Sequence, residues 1–138
     1  MKVSSRTRYG IRAAIKLAKH YTKGPLQLRI IAERQKISVK YLEQLMAVMR
    51  SAALVRSVRG AKGGYVLAKP PEDIRLSVVF HCLQDSVPTS KRVENSDICE
   101  RASDCVVREV WQEVEEAVGK VLDHITLGDM VQRASHLE

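Results

Sequence analysis

The sequence predicts a mainly α-helical fold with one small antiparallel pair of strands set midway along it, and three observations predict it. Apolar residues recur at three- and four-residue spacing through most of the chain, as they do in helices with one buried face. That rhythm breaks between Leu54 and Leu67, where two short β-like runs flank the stretch Arg59-Gly60-Ala61-Lys62-Gly63-Gly64. From about Cys105 the chain resumes helical spacing and keeps one apolar stripe for some twenty residues.

Taken in order, the first helix is expected from about Arg6 to Tyr21, capped by Ser4 or Ser5, with Ile11, Ala14, Ile15, Leu17 and Ala18 facing inward. Gly24-Pro25 ends it. A short second helix over Leu28 to Gln35 carries Ile30, Ile31 and Ala32, and Lys36-Ile37 links it to a third helix opened by the N-cap residue Ser38. In that third helix Leu42, Leu45, Met46 and Met49 make the inward stripe and leave Lys40, Glu43, Gln44 and Val48 on other faces. Two helices this close, followed by strands at Leu54 to Val58 and Tyr65 to Leu67, form a winged helix-turn-helix. Three of the six turn residues are glycines, which permit positive φ and close backbone approach to a partner.

Pro70-Pro71 closes this region, so the expected division is 1–70 for the winged helix-turn-helix and 71–138 for the remainder. Ser77 is expected to cap a helix over Val78 to Leu83. A polar segment from about Asp85 to Asp97 follows, within an expected sensor loop over about 85–105. The long helix then carries Val107, Val110, Trp111, Val114, Val118, Val121, Leu122 and Ile125. Packing against the same helix of a second copy would bury this stripe and give a two-fold dimer; packing onto the first helix is the other way to bury it. Thr126 caps a last short helix ending near Ala134.

Charge indicates the partner. Residues 1–69 hold 16 Lys/Arg against Glu33 and Glu43 alone, a net +14, whereas residues 70–138 hold 7 Lys/Arg against 14 Asp/Glu, a net −7. A basic half of this strength implies a polyanion, and the winged outline makes it double-stranded DNA. Aromatic residues at 4% offer few stacking platforms for RNA. No apolar window reaches the roughly 20 residues of a membrane span and no signal peptide is read, so a cytoplasmic protein is expected. Neither a phosphate-binding Gly-rich loop nor a His-Glu-x-x-His or Gly-x-Ser-x-Gly motif is present, so no enzyme and no small-molecule substrate are expected. Three cysteines make no disulfide framework and suit reactive or metal-binding thiols.

On DNA, Gln44 can bond bidentately to adenine, Glu43 can accept from the cytosine amino group, and Lys40 can reach guanine or a phosphate. Arg59 and Lys62 sit in the wing, suited to a narrow minor groove. Arg6, Arg8, Arg12, Arg56 and Lys36 are assigned to phosphates. The rival reading is a protein-interaction module that keeps the winged fold, against which the basic segment Arg56 to Lys62 argues.

Four runs carry a family resemblance: SSRTRYG from Ser4, KYLEQLM from Lys40, SVRGAKGGYVL from Ser57 and DHITLGDMV from Asp123. Together they resemble the bacterial winged-helix repressors that include the iron-sulfur cluster regulator IscR and the nitric-oxide sensor NsrR, with the wing and third helix most similar to the IscR branch. The resemblance implies a homodimer reading a palindromic operator, with the third helix in the major groove and the wing in the minor groove. It also implies control of iron-sulfur or redox-related genes through a cysteine-based sensor. Cluster-binding members carry Cys-x5-Cys-x5-Cys; here Cys99 and Cys105 keep that spacing, Val93 stands at the first position, and Arg108 stands where the IscR branch places a histidine. Arg8 occupies the region from which other branches supply a carboxylate. A cluster on Cys99 and Cys105, with 2Fe-2S favoured, would therefore need further donors. A cluster-free thiol switch, in which the two form a disulfide under oxidant, is the alternative. Cys82, beside His81 and among apolar neighbours, reads as a buried thiol.

Overall fold

The computed structural model of the protein describes residues 3–84 and 102–137. Helix α1 (Ser5–Lys19) is capped by Ser4, whose Oγ accepts the Thr7 N–H at 3.1 Å. The tail expected to run on to Tyr21 is instead a 3-10 turn over Tyr21–Lys23. Helix α2 (Leu28–Gln35) stops where Lys36 turns left-handed (φ 56°, ψ 43°), and Ile37 donates its N–H back to the Ala32 carbonyl at 3.1 Å. Helix α3 (Val39–Ser51) starts at its expected cap, Ser38, whose Oγ accepts the Tyr41 N–H at 3.0 Å.

Strands β1 (Val55–Val58) and β2 (Gly64–Leu67) pair antiparallel, with Val55 opposite Leu67 and Val58 opposite Gly64. A further rung is not visible in the sequence: Leu26 exchanges both backbone hydrogen bonds with Tyr65, at 3.0 and 2.9 Å. The link between α1 and α2 thereby anchors the base of the wing.

Helix α4 (Leu76–Gln84) begins earlier than expected, and Ser77 is not its cap. Ser77 lies buried in the first turn. No side-chain cap is needed at Leu76, because its N–H is taken by the Ile125 carbonyl at 2.7 Å, while Leu127 N–H bonds the Ile74 carbonyl at 2.9 Å. The long helix α5 (Ala102–Asp123) likewise starts before Cys105. Thr126 does cap α6 (Leu127–Leu137): its Oγ1 accepts the Asp129 N–H at 3.1 Å and Asp129 Oδ2 accepts the Thr126 N–H at 3.0 Å, a reciprocal capping box.

Six α-helices, the wing and two 3-10 turns, the second over Pro71–Asp73, are the elements of the described residues. One core joins them: Ala13, Leu17, Ile31, Leu42, Leu45, Met46, Met49, Val55, Leu67, Ile74, Val79, Leu83 and Leu127 are each at most 2% exposed. The helices lying on α1 are α4 and the last one, α6, and not the long α5, which meets the body through α4. Intrachain burial of the α5 stripe on the first helix is therefore not what the chain does. None of the described helices is long and apolar enough to cross a membrane.

Candidate nucleic-acid interface

Because Leu42, Leu45, Met46 and Met49 are consumed by the core, the opposite face of α3 is fixed outward, and it carries Lys40, Glu43 and Gln44, all exposed. At 100° per residue these three positions fall within one third of the helix circumference, so they present a single polar edge. Val48, expected off the inward stripe, is half buried and packs against the core. The four buried positions anchor the helix beneath this edge, and reading base edges requires an edge so held.

The wing projects Arg56 from β1 and Arg59 and Lys62 from the turn, all exposed. Gly60 takes φ 109°. Gly63 is buried, and a Cβ there would run into the Val58 carbonyl oxygen and the Gly60 oxygen, so the turn tolerates no side chain at that point. Gln27, just ahead of α2, reaches across to the turn: its Nε2 donates to the Ala61 carbonyl at 3.4 Å, and its Oε1 accepts from Arg29 at 3.5 Å. Neither Gln27 nor Arg29 stood out in the sequence, since both read as ordinary surface polar residues next to a helix start.

The phosphate candidates divide. Arg8 and Arg12 are exposed on α1 and flank the Tyr9 ring, with their guanidinium carbons 5.6 and 5.8 Å from its centroid. Tyr9 in turn meets Tyr41 of α3 edge to face at 6.2 Å, which places this basic pair against α3. Lys36 is exposed in the turn before α3. Arg6 is half buried and its Nε has no hydrogen-bond partner among the described residues, so only its terminal nitrogens are available for a phosphate. Its neighbour Thr7, in a row of basic residues, is fully buried: Oγ1 donates to Gln84 Oε1 at 2.6 Å and shares a hydrogen bond with Ser4 Oγ at 2.8 Å. This ties the start of α1 to the last residue of α4.

Of the sensor residues, Val93 and Cys99 lie outside the described residues, and Cys105 falls in the first turn of α5. Arg108, one turn further on, bears a guanidinium with no lone pair to give a metal. Cys82 is half buried on α4 and its Sγ donates to the Val79 carbonyl at 3.2 Å. Among the described residues no three His, Cys, Asp or Glu side chains gather where they could hold a metal ion. The donors on this chain that match the family pattern are two thiolates, short of the four groups that iron-sulfur ligation ordinarily uses, and they do not by themselves fit a cluster.

Comparison with known proteins places this geometry. The model of the Rrf2 family, described as an iron-dependent transcriptional regulator, matches residues 3–133. The protein Rrf2 of Nitratidesulfovibrio vulgaris is 38% identical over 135 residues, covering 98% of this chain and 90% of that protein. The HTH-type transcriptional regulator IscR of Aliivibrio salmonicida is 37% identical over 131 residues, covering 95% and 77%. Among solved structures, IscR of T. potens superposes with a TM-score of 0.81 at 41% identity, covering 100% of this chain and 91% of that one.

Proposed function

The chain belongs to the Rrf2 family of transcriptional regulators, and from that premise we propose that it binds a palindromic DNA operator as a homodimer. Gln44 and Glu43 read base edges in the major groove, Lys40 takes a guanine or a flanking phosphate, and Arg59 and Lys62 enter the minor groove. Arg8, Arg12, Arg56, Lys36 and the outer nitrogens of Arg6 hold the backbone. The single observation that carries this reading is the exposed polar edge of α3, followed in the chain by a basic wing whose base is anchored to the body. A protein-interaction module needs no such charge. The expected division of labour gives 1–70 to DNA and 71–138 to sensing and dimerisation, in a cytoplasmic protein.

The dimer is supported by α5. Val107, Trp111, Val114, Val118 and Val121 alternate at four and three residues, the seam of a two-stranded coiled coil. Val107, Trp111 and Val121 are 52%, 56% and 60% exposed, far more than a lone chain has reason to leave bare. Two-fold pairing of α5 sets two α3 helices toward two half-sites.

The test separates base readers from backbone holders. Gln44→Ala is expected to relax preference at one operator position, with a loss of about 1–3 kcal/mol on the preferred base only. Lys62→Ala is expected to weaken all duplex sequences alike. Competition binding over a library of operator variants checks both, and an identical profile for the two variants would overturn the assignment of roles.

For the signal, we read Cys99 and Cys105 as a thiol pair controlling iron-sulfur or redox-related genes. Oxidation joins the two sulfurs and passes two electrons and two protons to the oxidant, changing the segment that enters α5. The Thr7–Gln84 hydrogen bond supplies a route from that segment back to Arg6 and Arg8. The cluster reading makes a different demand: freshly purified anaerobic protein must be coloured and carry iron and sulfide, with donors added to the two thiolates. Colourless protein that still binds DNA, and changes affinity on oxidation in a Cys99→Ser-sensitive way, is the result expected of the thiol pair.

A further inference from the structure

Between α1 and the end of α2 lies an open surface depression of about 360 Å³, lined by Arg12, Lys16, Arg34, Gln35 and Lys36 over Ile15. We propose that it is a binding site for a phosphate-type anion carrying two or more charges.

Four observations lead there. Four cations converge and no carboxylate lines the depression. None of the four is drawn into an ion pair among the described residues, although Glu33 is their neighbour in sequence. A concave site of one sign concentrates the field that attracts a counter-ion. Gln35 Oε1 is buried with no hydrogen-bond partner in the same wall; turning the amide end for end offers its NH2 there instead, so this group can accept from a P–OH or donate to a P–O⁻. Buried polar groups of this kind ordinarily have a partner. Lastly, Lys36 is held in the left-handed conformation that ends α2, which fixes where its side chain departs.

The opposing consideration is the helix dipole, since the depression sits at the negative end of α2. That end amounts to about half a charge, and its Ala32 and Glu33 carbonyls already accept from Lys36 and Ile37. Four full positive charges outweigh it. A tetrahedral phosphate can share its oxygens among several donors, whereas a carboxylate offers two in one plane, so the number of converging cations favours phosphate. The depression is open to solvent and has room for a phosphate ester at its rim.

Such an anion has two sources. It is a DNA backbone phosphate, because Arg12 also stands over Tyr9 beside α3, or a free phosphorylated small molecule acting as an effector. Arg12 and Lys36 belong to the DNA surface proposed above, but Lys16, Arg34 and Gln35 do not, and they carry the test. Calorimetric titration of the DNA-free full chain with pyrophosphate reads the free source. The expected result is one site per chain, weakened at least tenfold by the double variant Lys16→Ala/Arg34→Ala and by Gln35→Leu, and unaffected by Arg133→Ala on α6. The DNA source is read without pyrophosphate: the double variant lowers the salt slope of duplex binding by about two, and a single methylphosphonate that costs the native chain affinity costs the variant none. The site is overturned if pyrophosphate gives no saturable heat and the slope is unchanged, or if Arg133→Ala weakens pyrophosphate as much as the double variant does. Failure of DNA binding altogether would leave the pyrophosphate titration as an independent reading.

Discussion

Trp111→Glu combined with Val121→Glu on α5 is expected to turn a dimer into monomers and to weaken operator binding by roughly a hundredfold or more. The magnitude comes from losing the second half-site, which in a linked pair adds about 10²- to 10⁴-fold to either half alone. Both residues are more than half exposed in the single chain, so the charges cost the fold little while placing four carboxylates in one apolar seam of the pair. Sedimentation gives the oligomeric state, and fluorescence anisotropy on duplexes with one or two half-sites gives affinity. The variant should bind the one-site duplex as the native chain does and gain nothing from the second site. A variant that remains dimeric, or a native chain that sediments as a monomer at micromolar concentration, removes α5 as the pairing surface.

Gly64→Ala is the second large effect. Gly64 holds φ 154°, and a Cβ there would strike the Leu26 carbonyl and lie 2.9 Å from the Gln27 nitrogen. The substitution must move the α1–α2 link away from β2, breaking the Leu26–Tyr65 hydrogen bonds in addition to the strain. With about 1–3 kcal/mol for the backbone and about 1 kcal/mol for each of the two lost hydrogen bonds, a loss of about 3–5 kcal/mol is expected in urea unfolding, with DNA affinity falling tenfold or more as the wing comes loose. Gly60→Ala is the comparison: φ is 109°, but nothing lies within 4 Å of the added carbon, so it should cost only the backbone strain. Equal destabilisation by the two variants would mean that the link does not anchor the wing.

How much of this was legible beforehand depends on the range of the interaction. The Ser38 cap, the inward stripe of α3 and the glycine turn are each set within a few residues, and the sequence carries them directly. Leu26 pairs with Tyr65 through a single rung, too short to impose any period on its neighbours. Ser77 looked like a cap because local pattern cannot reveal that Ile125 meets the Leu76 N–H from the far end of the chain. Nothing local marks Thr7 as buried, since its partner Gln84 is 77 residues away. The depression over Ile15 depends on how α1 packs across α2, which neither helix encodes alone. The base readers are the intermediate case: their exposure follows from the stripe, while their partners on DNA lie outside the chain.

Whether the basic half of the chain grips duplex DNA is read from the salt dependence of binding. Anisotropy titrations between 50 and 200 mM salt should give log affinity falling linearly with log salt, with a slope set by about six to ten phosphate contacts per dimer, or roughly a 10³- to 10⁵-fold loss across the range. A flat response, or no duplex binding at the lowest salt, would contradict such a grip.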